Sequence, residues 1–423
     1  MGIAMFVLFV VFIFLGMPIA YSLGLSSLVY LLVMDIPLSI IPQKMFVGID
    51  AFTLLCIPGF ILAGNLMNTG GISDRIIEFC QSLLGHIRGG FGLVNIGASV
   101  VFAGISGTAI ADVSSLGTIL IPAMVDEGYD DDFAVAVTAS SSVIGPIIPP
   151  SVPMILAGTL TGVSIADMFT GGMLPGIVLA VALSVVCFYI SKKKNYPKRQ
   201  WLGWGNVWKA TKHAGWALLM PIFLRFGIVF GWFTPTEASI VTVVYAIVIG
   251  MFIYKELKVG EMFTLMRSSL RNAAAVLVLV GLANVFAWIL TAEQIPQQIA
   301  AAILGVSDNK FVVILVINLI LIFVGMFMES TAAVVIMFPV LLPVATQIGM
   351  DPVQFGVMAV LNLMIGLTTP PVGICLYVAA QIGKVPVARA IKADIPFIVA
   401  SLLALALIAY VPFFTTWLPS LFG

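Results

Sequence analysis

Residues 145–153 read GPIIPPSVP, and residues 366–373 read GLTTPPVG. Both strings lie inside apolar stretches that otherwise suit a helix. Two consecutive prolines remove two backbone donors, and each proline disfavours the helical conformation of the residue before it. The sequence therefore predicts two helices that unwind in the middle, over 145–151 and 366–373.

A constant offset of 221 residues relates the two strings and extends well beyond them. It aligns residues 104–175 with residues 325–396 without a gap. Because glycines and prolines are hard to match in register by chance, we infer an internal duplication. The recurring pairs are Gly104/Gly325, Pro122/Pro343, Gly128/Gly349, Asp130/Asp351, Gly145/Gly366, Pro149/Pro370, Pro150/Pro371, Gly162/Gly383 and Pro175/Pro396.

The composition is that of an integral membrane protein. Of the 423 residues, 61% are apolar and 9% charged, which is too few charges to cover a soluble protein of this size. Stretches such as 273–291 and 395–414 supply the roughly 20 apolar residues that a bilayer core requires. The 19 basic and 19 acidic residues cancel, which disfavours nucleic acid as a partner. The four cysteines are scattered and have no metal-ligand spacing.

Basic residues indicate which side of the membrane each copy faces, because cytoplasmic loops are enriched in lysine and arginine. We expect three basic clusters to be cytoplasmic: Lys192, Lys193, Lys194, Lys198 and Arg199; Lys255, Lys258, Arg267 and Arg271; and Lys384, Arg389 and Lys392. Two spans, 214–233 and 238–254, separate the first two clusters. The third cluster corresponds by the offset to residues 163–171, which contain no basic residue. A single span, 174–191, separates 163–171 from the first cluster, so 163–171 is expected on the opposite, outer side of the membrane. The two copies are therefore predicted to be inverted, as is typical of secondary transporters.

Each copy has the same internal plan within an all-α polytopic membrane protein. Residues 91–125 predict a re-entrant hairpin with its tip at 104–108, followed by the broken helix 133–163. The second copy has its tip at 325–331. The resulting division is scaffold helices over 1–90, a first transport repeat over 91–175, scaffold helices with cytoplasmic amphipathic segments over 176–290, a second transport repeat over 291–396 and a C-terminal membrane helix over 397–423.

Unwound backbone inside a membrane must be buried in protein or line a cavity, because unpaired amides and carbonyls in lipid cost several kcal/mol each. Half-helix carbonyls suit a hard cation such as sodium, whereas half-helix and tip amides suit a carboxylate. The predicted cation carbonyls lie around Gly145, Ile148, Gly366 and Thr369, with neutral oxygens from Ser106, Thr108, Thr368 and Thr369. The half-helix that begins at Pro150 and Ser151 is predicted to contribute to an anion site. Simple proline kinks are the alternative.

Charged residues within apolar segments are usually functional or paired. Asp112 is predicted either to join a polar network or to bond nearby backbone, and Glu329 either to bind a cation or donor or to cap the following helix. Glu237 belongs to a capping box that starts at Thr234. Arg225 has two readings, since it can face a partner subunit or extend to the membrane interface.

Two further segments carry structural predictions. The acidic run 126–132 is expected to be a solvated loop that caps the helix beginning near Phe133. Residues 199–213, which contain three tryptophans among basic residues, predict a separate interfacial helix.

An enzyme and a channel are the alternative classes. Residues 104–107 match the GxSG string of intramembrane serine proteases, but the only histidines, His86 and His213, lie in charged segments near the membrane edge, so no general base is available. A duplicated pair of broken helices predicts alternating access around an occluded site more directly than an open pore.

The strings at 104–124, 145–153, 233–238 and 366–373 resemble the signatures of the large membrane subunit of tripartite ATP-independent periplasmic (TRAP) transporters, over nearly the whole chain. The resemblance implies sodium-coupled uptake of an organic acid (a dicarboxylate, sialic acid or a sugar acid) across a bacterial inner membrane by an elevator motion. It also implies a small membrane subunit of about four helices and a periplasmic substrate-binding protein as partners.

Residue by residue, the resemblance places sodium at Gly104, Ser106, Gly145, Ile148 and Pro149 in the first copy, and at Gly325, Gly366, Thr369 and Val372 in the second. With the residue analysis above, the candidates for substrate binding are Thr108, Asp112, Pro150, Ser151, Glu329 and Thr368. Glu329 stands where related sequences often have Asp. An autonomous carboxylate symporter, coupled to sodium or protons and without a binding protein, is the remaining alternative.

Overall fold

A computed structural model describes residues 1–306 and 309–422 of the chain, and all regular structure in these ranges is helical. The helices are α1 Gly2–Phe14, α2 Ile19–Val33, α3 Ile40–Ile49, α4 Cys56–Thr69, α5 Ile72–Leu84, α6 Gly90–Ser106, α7 Ala109–Asp126, α8 Asp131–Ser142, α9 Val152–Thr161, α10 Ile165–Lys193, α11 Trp204–Val229, α12 Pro235–Val248, α13 Val259–Ala292, α14 Ile295–Val306, α15 Lys310–Phe327, α16 Ser330–Gln347, α17 Pro352–Gly366, α18 Ile374–Gly383, α19 Val387–Tyr410 and α20 Phe413–Phe422.

Within these ranges, eight helical segments are long and apolar enough to cross a membrane. The all-helical membrane fold predicted from composition is therefore confirmed. The longest of the eight, α13, contains the predicted span 273–291 and extends it in the N-terminal direction through a basic segment. A helix pairs its backbone amides and carbonyls within the segment, which is why it is the default element in a bilayer.

The helix series α6–α10 and α15–α19 follow the 221-residue offset closely. Shifting Ala109–Asp126 (α7) by that offset gives 330–347, which are the bounds of α16. Helix pairs stand at both predicted hairpins, as α6–α7 and α15–α16, and the predicted breaks separate α8 from α9 and α17 from α18. Re-entrance of the hairpins stays a prediction, since α7, α15 and α16 are among the helices long enough to cross a membrane. Both breaks contain a cis peptide bond, at Pro149–Pro150 and Pro370–Pro371. The opposite orientation of the two copies in the membrane stays a prediction.

The two helix series pack against each other rather than forming separate bodies. Helix α8 of the first copy packs on α18 and α19 of the second, and α16 of the second packs on α9 of the first. Among the helices outside the two series, α13 contacts α2, α3 and α4, α12 contacts α4, and α20 packs on α10. Helices α8 and α17 are the first halves of the two broken helices, and almost all of their side chains are buried.

Two local predictions need correction. Residues 199–213 do not form a separate interfacial helix, because α11 begins at Trp204 and continues without interruption to Val229. Asp130 precedes α8 but its side chain does not cap that helix. Its carboxylate instead accepts hydrogen bonds from Lys194 and, at 2.8 Å, from the hydroxyl of Tyr196.

The acidic run is a meeting point for two of the basic clusters. Glu127 forms an ion pair with Arg199, and Asp131 forms one with Arg389. The clusters around Lys192 and Arg389 therefore lie at the same end of the molecule, as the charge pattern predicts. The predicted capping box is also confirmed, since Glu237 accepts from the amide of Thr234 at 2.8 Å.

We expect acid to weaken the Asp130 contacts. The hydrogen bond from the Lys194 ammonium, with help from Tyr196, holds the pKa of the Asp130 carboxyl below its ordinary value of 3.8. A carboxyl whose pKa is lowered by folding stabilises the protein above the unfolded value and loses that contribution as the pH falls through the folded value. The apparent melting temperature of the wild type should therefore decline below about pH 3.8 more steeply than that of Asp130→Asn. Parallel curves for the two proteins would contradict the assignment.

Candidate functional site

The first hairpin tip lies directly on the first helix break. The amide of Val152 donates to the carbonyl of Gly107 at 3.3 Å, which joins the tip to the start of α9. Gly107 adopts a left-handed conformation (φ 66°) that favours glycine. Deeper in the break, a Cβ at Gly145 would overlap a carboxylate oxygen of Asp112, so this carboxylate is packed against the Gly145 backbone. Asp112 has no exposed surface.

The second hairpin meets the second break even more closely. A Cβ on Gly366 would lie 2.5 Å from the carbonyl carbon and 2.6 Å from the Cα of Gly325, so the backbones of α15 and α17 touch. Just beyond, the carbonyl oxygens of Thr368 and Thr369 both lie 3.3 Å from the position of a Cβ on Gly373. Both carbonyl oxygens therefore lie beside the Gly373 backbone, where the break ends and α18 begins.

Glu329 caps the helix that follows the second tip. Its Oε2 accepts from the amides of Thr331 at 2.9 Å and Ala332 at 3.3 Å, and its Oε1 accepts from the hydroxyls of Ser330 at 2.8 Å and Thr331 at 2.9 Å. Of the two readings left open by the sequence, the structure shows the cap. These tip amides were predicted to hold a substrate carboxylate, and they are already occupied by the carboxylate of the chain itself.

Arg225 reaches the first break from α11 and was not assigned this role from the sequence. Its Nε donates to the carbonyl of Pro149 at 3.2 Å, and its Nη2 donates to the carbonyl of Val100 at 3.3 Å. The guanidinium therefore faces inward and does not extend to the membrane interface. It satisfies one carbonyl freed by the break and one in α6, and it holds a fixed positive charge beside Pro149. The only sequence feature that points to this contact is the apolar segment in which Arg225 lies.

A cavity of about 510 Å³ separates the hairpin tips from the surrounding helices. It begins at Thr108, Glu329 and Thr331 and continues along α7 as far as Thr118. Its lining is mostly neutral, with three asparagines from α4 and α13 opposite three hydroxyl side chains of α7: Asn65, Asn68, Asn272, Ser114, Ser115 and Thr118. Glu329 is the only charged side chain in the lining. The volume lies within the range of roughly 300–1,000 Å³ typical of small-molecule sites.

The direction of the cavity follows from the helix that lines it. The α7 helix runs from Thr108 at the tip towards Asp126, which is next to the ion pair between Glu127 and Arg199. The lining residue Thr118 lies ten residues beyond Thr108, roughly 15 Å along the helix. The cavity therefore leads from the tips towards the end of the molecule that carries the basic clusters.

The cavity brings together only some of the predicted substrate residues. Thr108 and Glu329 line it, whereas four others are buried away from it: Asp112, Pro150, Ser151 and Thr368. Ser151 instead bonds the carbonyl of Pro146 and caps α9 through the amide of Met154. The hydroxyl of Thr368 donates to the carbonyl of Ile365 at 3.0 Å.

The predicted sodium residues are placed as follows. Gly325, Gly366 and Thr369 lie together at the second break, and Gly145 and Pro149 lie at the first, where Ile148 packs against Gly176. Val372 is 39% exposed, on the outer side of its break. Gly104 and Ser106 belong to the last turn of α6, and the contacts of these two residues are not among those that the structure describes. The positions of these residues do not test whether sodium binds.

The side chains provide no sign of metal or nucleophilic catalysis in the described residues. No group of three His, Cys, Asp or Glu residues there is arranged to hold a metal ion. His86 packs on the ring of Trp201, and His213 bonds Glu78 at 2.9 Å on the exposed surface. Neither histidine is near the first hairpin tip.

Duplicated hairpins that contact duplicated helix breaks, beside a polar cavity inside an apolar helical body, are features of a multi-pass membrane transporter. The chain matches the family model "Tripartite ATP-independent periplasmic transporter, DctM component" over residues 6–414. It is 42% identical over 411 residues to the sialic acid TRAP transporter large permease protein SiaM of Vibrio cholerae, covering 97% of this chain and 96% of that protein. The chain thus belongs to the family of TRAP transporter large permease proteins, which places it in the bacterial inner membrane.

Other relatives differ in the substrates that their names state. The C4-dicarboxylate TRAP transporter large permease protein DctM of Vibrio cholerae is 36% identical over 439 residues, covering 99% of this chain and 97% of its own. Among solved structures, the YdaH transporter of Alcanivorax borkumensis matches with a TM-score of 0.64 at 13% identity, covering 90% of this chain and 88% of that one. The similarity to the YdaH structure concerns the fold alone.

Proposed function

We propose that this TRAP permease subunit carries an organic monocarboxylate into the cell together with sodium, with a small membrane subunit and a periplasmic substrate-binding protein as partners. The name of the SiaM relative supports an acid such as sialic acid. The cavity favours one carboxylate over two, because Glu329, the only charged side chain in its lining, repels each negative charge of the substrate. Three asparagines and several hydroxyls offer hydrogen bonds to a substrate rich in polar groups.

The proposed sodium coupling rests on the paired carbonyls at the second break. The carbonyl oxygens of Thr368 and Thr369 both lie beside the Gly373 backbone, and the contact between Gly325 and Gly366 holds α15, which leads into the second tip, against the end of α17. Oxygen ligands from backbone suit a hard monovalent cation. By the repeat, an equivalent site is proposed at the first break around Gly145. The guanidinium of Arg225 already bonds Pro149 there, so a sodium ion in the first site would share that carbonyl with a fixed positive charge.

An elevator motion is the proposed transport step. The cavity lies between α7, which carries the first tip, and the scaffold helices α4 and α13, so its two walls belong to bodies that can slide past each other. Because it leads towards the basic clusters, which are predicted to be cytoplasmic, the cavity is proposed to be the release route. The outward route would then form along α16, which is mostly buried in this conformation.

Uptake into proteoliposomes tests the proposal. The chain and its small subunit would be supplied with binding protein loaded with sialic acid or with a C4-dicarboxylate, under an inward sodium gradient. We expect accumulation of sialic acid that is lost when sodium is replaced by potassium, and little accumulation of the dicarboxylate. Uptake that does not depend on sodium would overturn the coupling, and uptake by this chain without binding protein or small subunit would favour an autonomous symporter.

A further inference from the structure

Helix α19 carries a fully buried carboxyl that the proposed transport site does not use. Asp394 has no exposed surface. Its Oδ1 accepts a hydrogen bond from the hydroxyl of Ser140 in α8 at 2.6 Å. Its Oδ2 is also buried and has no hydrogen-bond partner among the described residues. The equivalent position in the first copy is Met173, so this carboxyl belongs to one copy only.

No positive charge among the described residues compensates Asp394. The helices packed against α19 are α8, α10, α15, α17 and α18. Their titratable side chains are Asp131 and Asp132 on α8, Asp167, Cys187, Tyr189, Lys192 and Lys193 on α10, Lys310 on α15, none on α17, and Cys375 and Tyr377 on α18, with Arg389, Lys392 and Tyr410 on α19 itself. Arg389 pairs with Asp131, and Lys310 bonds the carbonyl of Gly349. Cys375, which interacts with Ser142, lies near Asp394 and offers no cation.

The charged form of such a group is strongly disfavoured. A buried carboxylate without a cation loses its hydration, and one hydrogen bond from a neutral hydroxyl does not replace it. The neutral acid avoids this loss, since a proton placed on the unpartnered Oδ2 leaves Oδ1 free to accept from Ser140. We propose that Asp394 is a proton-binding site between the two repeats, with the proton carried on Oδ2 in this conformation.

Binding and release of the proton have a simple balance. A proton from water forms the O–H bond at Oδ2 and removes one negative charge, and its release restores the carboxylate. The site joins α8, the first half of a broken helix, to α19 of the other copy. On its other face α8 is bonded to α6 through Thr138, which accepts from Asn95 at 2.6 Å. Ionisation of Asp394 therefore opposes the packing of α8 on α19 while the α6 contact remains.

Infrared spectroscopy of the purified full-length chain tests the site directly. We expect Asp394→Asn to remove C=O absorbance of a protonated carboxyl that the wild type shows at neutral pH. Ser140→Ala should keep this absorbance and shift it to higher frequency, because the C=O group loses its hydrogen bond. Should Asp394→Asn fail to fold, the Ser140→Ala shift decides the matter. Spectra in which neither variant changes protonated-carboxyl absorbance would overturn the proposal.

The pH dependence of stability provides a second readout. The folded chain holds the proton at neutral pH and the unfolded chain releases it, so the ratio of folded to unfolded protein should fall by up to about tenfold per pH unit as the pH rises. In Asp394→Asn, the ratio of folded to unfolded protein should lack this fall with rising pH. The matched control is Glu261→Gln, which removes an exposed carboxylate from α13 and should show the same fall as the wild type. Equal pH dependence in the wild type and Asp394→Asn would contradict the proposal. Neither experiment requires uptake or sodium, so a failure of the proposed function leaves both outcomes readable.

Discussion

Gly366→Ala is expected to reduce uptake by at least tenfold and to lower the stability of the folded chain. The new Cβ would lie 2.5 Å from the carbonyl carbon of Gly325, and a backbone atom cannot rotate out of the way. The helices α15 and α17 cannot simply separate, because Asn362 of α17 donates to the side chain of Asn318 at 2.7 Å. Overpacking of this kind costs roughly 1–3 kcal/mol. It also displaces the second tip from the carbonyls of Thr368 and Thr369.

The matched control for this substitution is Gly215→Ala in α11. No atom lies within 4 Å of a Cβ placed there, and alanine is the better helix former. Uptake and the apparent melting temperature would be measured for both variants in the same liposomes and detergent. Wild-type uptake by Gly366→Ala would show that the close contact of tip and break is dispensable for transport.

Much of the fold was predictable because its determinants are local. The paired prolines forbid a continuous helix wherever they occur, so the breaks at 145–151 and 366–373 could be placed from the sequence alone. The 221-residue offset then transferred each element of one copy to the other. The acidic residues of 126–132 illustrate the limit of this approach. The sequence predicts a loop over the whole run, whereas α7 ends at Asp126 and α8 begins at Asp131. Asp130 bonds Lys194, 64 residues away, instead of its own helix.

The candidate site was less predictable, because side chains distant in sequence complete it. Glu329 was recognised as a residue at the tip, yet only the coordinates show that both of its oxygens are taken by the cap. Asp394 follows the basic cluster of Lys384, Arg389 and Lys392, and the sequence gives no sign that it is buried. Its hydrogen-bond partner, Ser140, lies 254 residues earlier. Periodicity and motif spacing carry no information on such contacts.

Arg225→Ala is expected to reduce uptake by at least tenfold, because it destabilises the first break and its contact with α6. The guanidinium supplies hydrogen bonds to the carbonyls of Pro149 and Val100, at 3.2 and 3.3 Å. Leaving a buried acceptor unsatisfied costs roughly 1–3 kcal/mol, so the loss at two carbonyls destabilises the break as well as the α6 contact. Arg225→Lys should retain part of the activity, because an ammonium keeps the charge but lacks the planar fork that serves both acceptors.

Arg267→Ala is the matched control, since Arg267 is an exposed arginine of α13. Uptake and apparent melting temperature are measured for all three variants at several sodium concentrations. If the Arg225 charge also repels a cation at the first break, Arg225→Ala should require less sodium for its residual uptake than Arg225→Lys does. An Arg225→Ala protein that transports like the wild type would show that the two carbonyls find other donors, and would remove Arg225 from the site.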